Sequence, residues 1–159
     1  GAAHLGWHQL GNHGRQLMIR LATHDDIPAL IEMGREFVAQ SSDAIVPFDE
    51  AGTVDMFRSM IDADAACVFI SDDGFICGVI TALPYLSKKF TVANECFWYA
   101  ESSGSDLFEA FERWAVQSGA SRAIISHRHC SRTPSFERLY RMRGYAPHEH
   151  YYVRDLPCA

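Results

Sequence analysis

The sequence predicts an α/β fold, one domain in which a mixed sheet is combined with helices and contains a single strand-helix-strand crossover. Three observations carry that expectation. The 159 residues, 48% of them hydrophobic, suffice for one domain with a real core and fall short of two of ordinary size. Strand-like and helix-like spacings follow one another as strand, helix, helix, three strands, helix, strand, helix, strand, without internal repeats. Finally, the segment from Glu95 to Ala115 opens as an aromatic strand, breaks at serines and a glycine, and restarts at helical spacing.

Residues 1–17, rich in Gly and His and without an apolar period, read as a tail outside the fold, native or an expression remnant, with Met18 as a candidate start and 18–159 as the domain. Their His4, His8 and His13 lack the carboxylate or cysteine framework of a built metal site, and no metal is expected. Ile19 to Ala22 forms a short strand. Thr23-His-Asp-Asp26 then offers a helix cap with acidic residues in the first turn, and Ile27, Leu30, Ile31 and Phe37 keep a helical period. A second helix runs from Thr53 to Ile61 on Val54, Phe57, Met60 and Ile61. Ala66 to Ser71 and Phe75 to Leu83 form two strands joined by Asp72-Asp73-Gly74, a strong hairpin signal. After a polar connection from Pro84 to Val92 with Lys88 and Lys89, the aromatic strand spans Glu95 to Ala100. A helix from Gly104 to Ser118 stops at Gly119, Arg122 to His127 is a strand, Pro134 to Arg143 a helix closed by Gly144, and His150 to Asp155 a last strand.

At the crossover, Phe97, Trp98 and Tyr99 suit a buried strand, and Leu107, Phe108, Phe111 and Trp114 mark one helix face. Ser102, Ser103, Gly104 and Ser105 lie between them. Unpaired N–H groups and partial positive charge at a helix start make this a candidate anion cradle for a phosphate or pyrophosphate; an ordinary strand-to-helix turn with a serine cap is the other reading.

The net charge of −6 argues against a nucleic-acid partner. It is unevenly spread: residues 20–73 carry twelve Asp or Glu against Arg20, Arg35 and Arg58, whereas 122–143 carry Arg122, Arg128, Arg132, Arg138, Arg141 and Arg143 against Glu137. Such a pair of halves suits an enzyme joining an amine to a phosphorylated carrier, or else two solvated faces. No apolar run approaches a membrane span and no export signal is evident, so a cytoplasmic protein without a membrane partner is expected. Cys67, Cys77 and Cys96 read as core residues; Cys130, beside a histidine and arginines, is a weaker candidate for an activated thiol.

This order of elements, with Asp25-Asp-Ile-Pro-Ala-Leu30 near the start and Leu139-Tyr-Arg-Met-Arg-Gly-Tyr145 near the end, resembles the GNAT superfamily of N-acetyltransferases over residues 18–156. The resemblance implies an α+β fold with a mixed, mostly antiparallel central sheet flanked by helices on both faces. It implies acetyl-CoA as donor, its pyrophosphate on the strand-cradle-helix segment, and backbone groups of Tyr99 and Ala100 paired with the pantetheine arm and the acetyl carbonyl. The chain departs from the family at the cradle. The usual Gln or Arg, two residues, Gly, one residue, Gly or Ala is missing, the loop before Gly104 is shorter, and Glu101 stands where a positive or amide side chain would help.

Direct transfer to a primary amine needs a base for the amine, a polarised thioester and a proton for the thiolate. Glu95 is the candidate base, or a carboxylate capping a strand end; strict alternation would set Glu95, Phe97 and Tyr99 on one face and Cys96, Trp98 and Ala100 on the other. By the resemblance Tyr140 protonates the leaving thiolate; the other reading is a core aromatic one turn from Phe136. His127 and His129 are second choices, and Tyr145, Tyr151 and Tyr152 are expected in the core or a cleft wall. A cationic acceptor is expected near Asp43, Asp49, Glu50 and Asp55. A non-catalytic GNAT-like binding or assembly module with a degenerate CoA cradle, or a transferase of longer acyl chains, are the alternatives, and a homodimer is compatible with the fold.

Overall fold

A computed structural model describes residues 18–41, 46–83, 85–87, 89–128 and 133–154, which fall into two units divided between Ile125 and Ser126. The expectations for residues 1–17 and for Asp43, Lys88, His129, Cys130 and Arg132 lie outside the described residues.

The first unit opens with β1 (Arg20–Leu21) and a 3-10 turn (His24–Asp26) that leads into α1 (Ile27–Ala39). Asp26 builds this start. Its carboxylate accepts the Thr23 N–H at 2.8 Å and Oγ1 at 3.0 Å, and the Arg20 guanidinium grips it through two bonds of 2.7 and 2.6 Å. The Arg20 bonds, helped by Thr23 against the opposing effect of burial, hold the Asp26 carboxyl well below the usual carboxylate range. α2 (Glu50–Asp62) begins ahead of the expected Thr53 because Asp49 caps it, accepting the Gly52 N–H at 3.0 Å.

β2 (Ala66–Ile70), β3 (Gly74–Ala82), β4 (Thr91–Ala100), α3 (Gly104–Gln117) and β5 (Arg122–Ile124) complete the unit. The five strands lie in chain order. Neighbours from β1 to β4 are antiparallel, and α3 is the crossover that returns the chain to β5, parallel to β4. This is the expected mixed, mostly antiparallel sheet. β4 begins earlier than its aromatic run because Val92, Ala93 and Asn94 pair with Arg122, Ala123 and Ile124.

Helices cover both faces. Leu30 and Ile31 of α1 and Phe57 of α2 join Val68, Ile70, Phe75 and Cys77 in one core, where the Phe57 ring meets Phe75 edge-on at 5.7 Å. On the other face Leu107, Phe108 and Phe111 of α3 are fully buried, and Phe108 stacks on Trp98 at 5.3 Å. Gly78 permits this approach, since a Cβ there would stand 2.5 Å from the Phe111 ring and 2.9 Å from the Asn94 carbonyl. Cys67 and Cys77 are core residues as expected and Cys96 is half-buried. Burial pushes the Cys67 thiol up to about 12 and the Cys77 thiol well above its ordinary value.

The second unit contains α4 (Thr133–Met142). α3 and α4 both end on the expected glycines, Gly119 at φ 72° and Gly144 at φ 83°. The last strand is not formed over residues 150–154, and Tyr151, Tyr152 and Val153 are 83%, 93% and 92% exposed. Neither tyrosine is therefore a core residue. A strand-like run becomes a strand only through a ladder partner, and these residues have none among those described.

Candidate functional site

β4 positions the candidate site. It pairs with β3 along its whole length, from Thr91 opposite Ala82 to Ala100 opposite Gly74, but with β5 only as far as Asn94. The ladder with β5 thus stops at Asn94, and from Glu95 to Ala100 β4 continues along β3 past the end of β5.

A register shift lies within this stretch. Cys77 stands opposite Phe97 and Gly78 opposite Glu95, which leaves Cys96 as an extra residue, a β-bulge. Past it the expected alternation holds: Phe97 and Tyr99 pack on the α1–α2 core and Trp98 under α3. Across it the alternation fails, because the bulge separates Glu95 from the row of Phe97 and Tyr99. Glu95 is half-buried, and after burial itself its charge is what raises the Cys96 thiol.

Beyond Ala100 the chain makes a tight loop into α3, and the β2–β3 turn reaches across to it. Gly74 allows the contact, as a Cβ there would lie 2.6 Å from the Tyr99 carbonyl oxygen and 2.8 Å from Ala100 Cα. The Asp73 carbonyl accepts the Glu101 N–H at 3.1 Å, and the Asp73 carboxylate accepts the Ser102 N–H at 2.9 Å together with the Ser102 hydroxyl. Ser71 Oγ donates to the other carboxylate oxygen at 3.1 Å and lies 2.7 Å from Ser103 Oγ. Ser71 and Ser103 are the buried polar residues among those described. Burial works to raise the Asp73 carboxyl, but the hydrogen bonds from Ser102, Ser103 and Ser71 outweigh it and hold it at about 2.

The candidate cradle is thus already engaged with an anion of the chain itself. Ser103 is the residue before α3, yet its side chain makes no capping bond and turns to Ser71 instead. Ser105 stands in the first turn of α3, beside Gly104, whose position is not sterically demanding: a Cβ there would meet Trp98 at 3.4 Å and Ala100 at 3.7 Å.

An acidic pocket of about 270 Å³ adjoins this loop, lined by Glu32, Met33, Glu36, Asp72, Asp73, Tyr99 and Glu101. Burial first, then the charges of Glu101 and Glu36, push the Tyr99 phenol above its ordinary value. The acidic residues first expected to draw a cation are occupied elsewhere: Asp49 caps α2, Glu50 pairs with Arg35, and Asp55 lies 3.8 Å from Arg58. The sequence reading missed Glu32, Glu36, Asp72 and Asp73. The available signals were the i,i+4 spacing of Glu32 and Glu36 on α1 and the paired aspartates of the hairpin turn.

In the second unit Tyr140 sits in an aromatic cluster with Phe136, Tyr145 and His127, at ring separations of 6.4, 6.1 and 5.5 Å. Its hydroxyl donates to the Ser126 carbonyl at 3.3 Å. Tyr140 and the second-choice His127 are therefore neighbours, and the pairing of Tyr140 with Phe136 expected of a helix face is present.

No family model and no curated protein sequence matches the chain. Solved structures do. The aminoglycoside acetyltransferase AAC(6')-Iy, in complex with a bisubstrate analogue of CoA and acetylneamine, aligns over 91% of this chain and 100% of its own at a TM-score of 0.64 and 13% identity. An aminoglycoside acetyltransferase from an uncultured soil metagenomic sample aligns over 90% and 97% at 0.63 and 14%. An acetyltransferase of Trypanosoma brucei aligns over 89% and 100% at 0.63 and 16%.

Proposed function

We propose that this chain, whose fold is that of the GNAT-type acetyltransferases, is an N-acetyltransferase that moves an acetyl group directly from acetyl-CoA to a primary amine. The observation that carries the reading is the end of the β4–β5 ladder at Asn94, beyond which β4 runs on along β3 to the loop before α3. Where β4 runs on past its parallel neighbour, the amide-bearing pantetheine arm can take the place that the neighbouring strand leaves. Outward backbone groups at Tyr99 or Ala100 also suit the thioester carbonyl, whose oxygen gains charge as the amine attacks.

The chemistry divides among a few groups. The amine lone pair attacks the thioester carbon, a C–N bond forms and the C–S bond breaks; Glu95 takes the amine proton and Tyr140 supplies the proton that the thiolate requires. The acidic pocket beside Tyr99 favours a cationic acceptor, such as a small diamine or an aminoglycoside-like molecule, and it lies next to the edge that would hold the donor. The AAC(6')-Iy complex joins a CoA-type donor and an aminoglycoside-derived acceptor in one ligand, which supports the same division of labour.

One observation favours a second reading, a non-catalytic module with a degenerate CoA cradle: the Ser102 donors are held by Asp73. Calorimetric titration with acetyl-CoA, CoA and a longer acyl-CoA separates the two, followed by an amine screen with thiol release as readout. The transferase reading expects micromolar acetyl-CoA binding and acceptor-dependent thiol release. Absence of binding to every CoA species leaves the module.

A further inference from the structure

We propose that Asp73 is a resident anion of the cradle, so that a CoA-type donor places its diphosphate on the loop before α3 only by displacing the Asp73 side chain. The inference rests on the reading of this loop as part of an acetyl-CoA site. Ser103, the residue before α3, turns inward to Ser71, and Ser102, the loop residue ahead of it, is held by a carboxylate from the β2–β3 turn. That carboxylate takes one backbone N–H and one hydroxyl of Ser102, the kinds of donor that phosphate oxygens use at helix starts. The same turn takes the Glu101 N–H through the Asp73 carbonyl, and Gly74 lets it close against Tyr99 and Ala100.

Displacement costs the Asp73 bonds but leaves the fold in place, because the half-buried Asp73 side chain lies outside the core while the buried Ser71–Ser103 pair remains. Removing the charge should therefore strengthen diphosphate binding. The test titrates the whole chain and its Asp73→Asn and Asp73→Ser variants, each checked for cooperative thermal unfolding, with CoA, inorganic diphosphate and pantetheine. The expected result is about tenfold tighter binding of CoA and diphosphate by both variants with pantetheine affinity unchanged, tenfold being the scale of one charge-assisted contact. CoA binding that is equal or weaker in the variants overturns the displacement while leaving the donor site intact. Tighter binding of uncharged pantetheine also overturns it, since no anion is then being exchanged. If no CoA species and no pantetheine binds any of the three proteins, the donor-site reading falls and the proposal with it. Should neither variant fold, the unaltered protein decides by amide NMR: the Ser102 and Asp73 resonances must move together as CoA saturates, and resonances that stay fixed under saturating CoA refute displacement.

Discussion

Two aspartates set the stability of the first unit against acid, and they do so with different partners. Asp73 has its folded-state value lowered to about 2, so it contributes stability that is present above its ordinary value of 3.8 and is lost as the pH falls toward 2. Allowing for solvent screening of a half-exposed group, that contribution is about 1 kcal/mol. Asp26, held well below the usual carboxylate range by Arg20, adds a contribution of the same sign. Urea unfolding of the Asp73→Asn variant should therefore show a shallower loss of stability between pH 5 and pH 2.5 than the unaltered chain, with the Asp26 part retained. Identical slopes would mean that the Ser102 bonds do not persist in solution. The role of Asp26 at the helix start was legible in the sequence, because a cap and its first turn are neighbours. The role of Asp73 was not, because its partners Ser102 and Ser103 are remote in sequence and meet it only once β3 and β4 pair. Among catalytic candidates, Tyr140→Phe should lower kcat with little change in acetyl-CoA affinity. Steady-state kinetics beside a donor titration checks this, and an unchanged kcat reduces Tyr140 to a member of its aromatic cluster.

At the scale of elements, the bulge in β4 and the seat of α3 meet at Gly78. A side chain there would press on the Phe111 ring and on the Asn94 carbonyl, and the carbonyl belongs to the ladder and has little room to give. Gly78→Val should destabilise the chain by about 2–3 kcal/mol, lowering the thermal midpoint by several degrees. A shift below about 0.5 kcal/mol would show that α3 does not sit on β3 as described. The hairpin turn, the glycine stops at Gly119 and Gly144, the apolar faces of α1 and α3 and the single crossover were all written locally, in turn chemistry and in period. The bulge was not, since an extra residue in a ladder is a property of two strands and no pattern in Glu95-Cys96-Phe97 marks it. The same limit explains residues 150–154, where strand-favouring aromatic and β-branched residues are present and the partner is absent among the described residues.

For the whole molecule, the net charge of −6 matters less than where the negative groups converge. Sequence totals pointed to the acidic first part of the chain, but ion pairs and a helix cap absorb Asp49, Glu50 and Asp55, leaving α1, the β2–β3 turn and the end of β4 to build the acidic pocket. If that pocket holds the acceptor, its charge should act on acceptor capture rather than on the chemical step. Glu36 and Asp72 line it without belonging to the proposed proton-transfer pair, so a Glu36→Gln, Asp72→Asn double variant removes two charges and leaves Glu95 and Tyr140 in place. For a dicationic amine, KM should rise by about tenfold with kcat nearly unchanged, as expected when binding energy common to ground and transition states is lost. The dependence of KM on ionic strength should flatten, because the Debye length is about 8 Å at physiological salt and weakens such attraction progressively. A monoamine should respond less than a diamine, which separates charge from shape. Equal KM values for the diamine in both proteins would move the acceptor away from this pocket. A matching fall in kcat would instead place Glu36 or Asp72 in the proton path now given to Glu95.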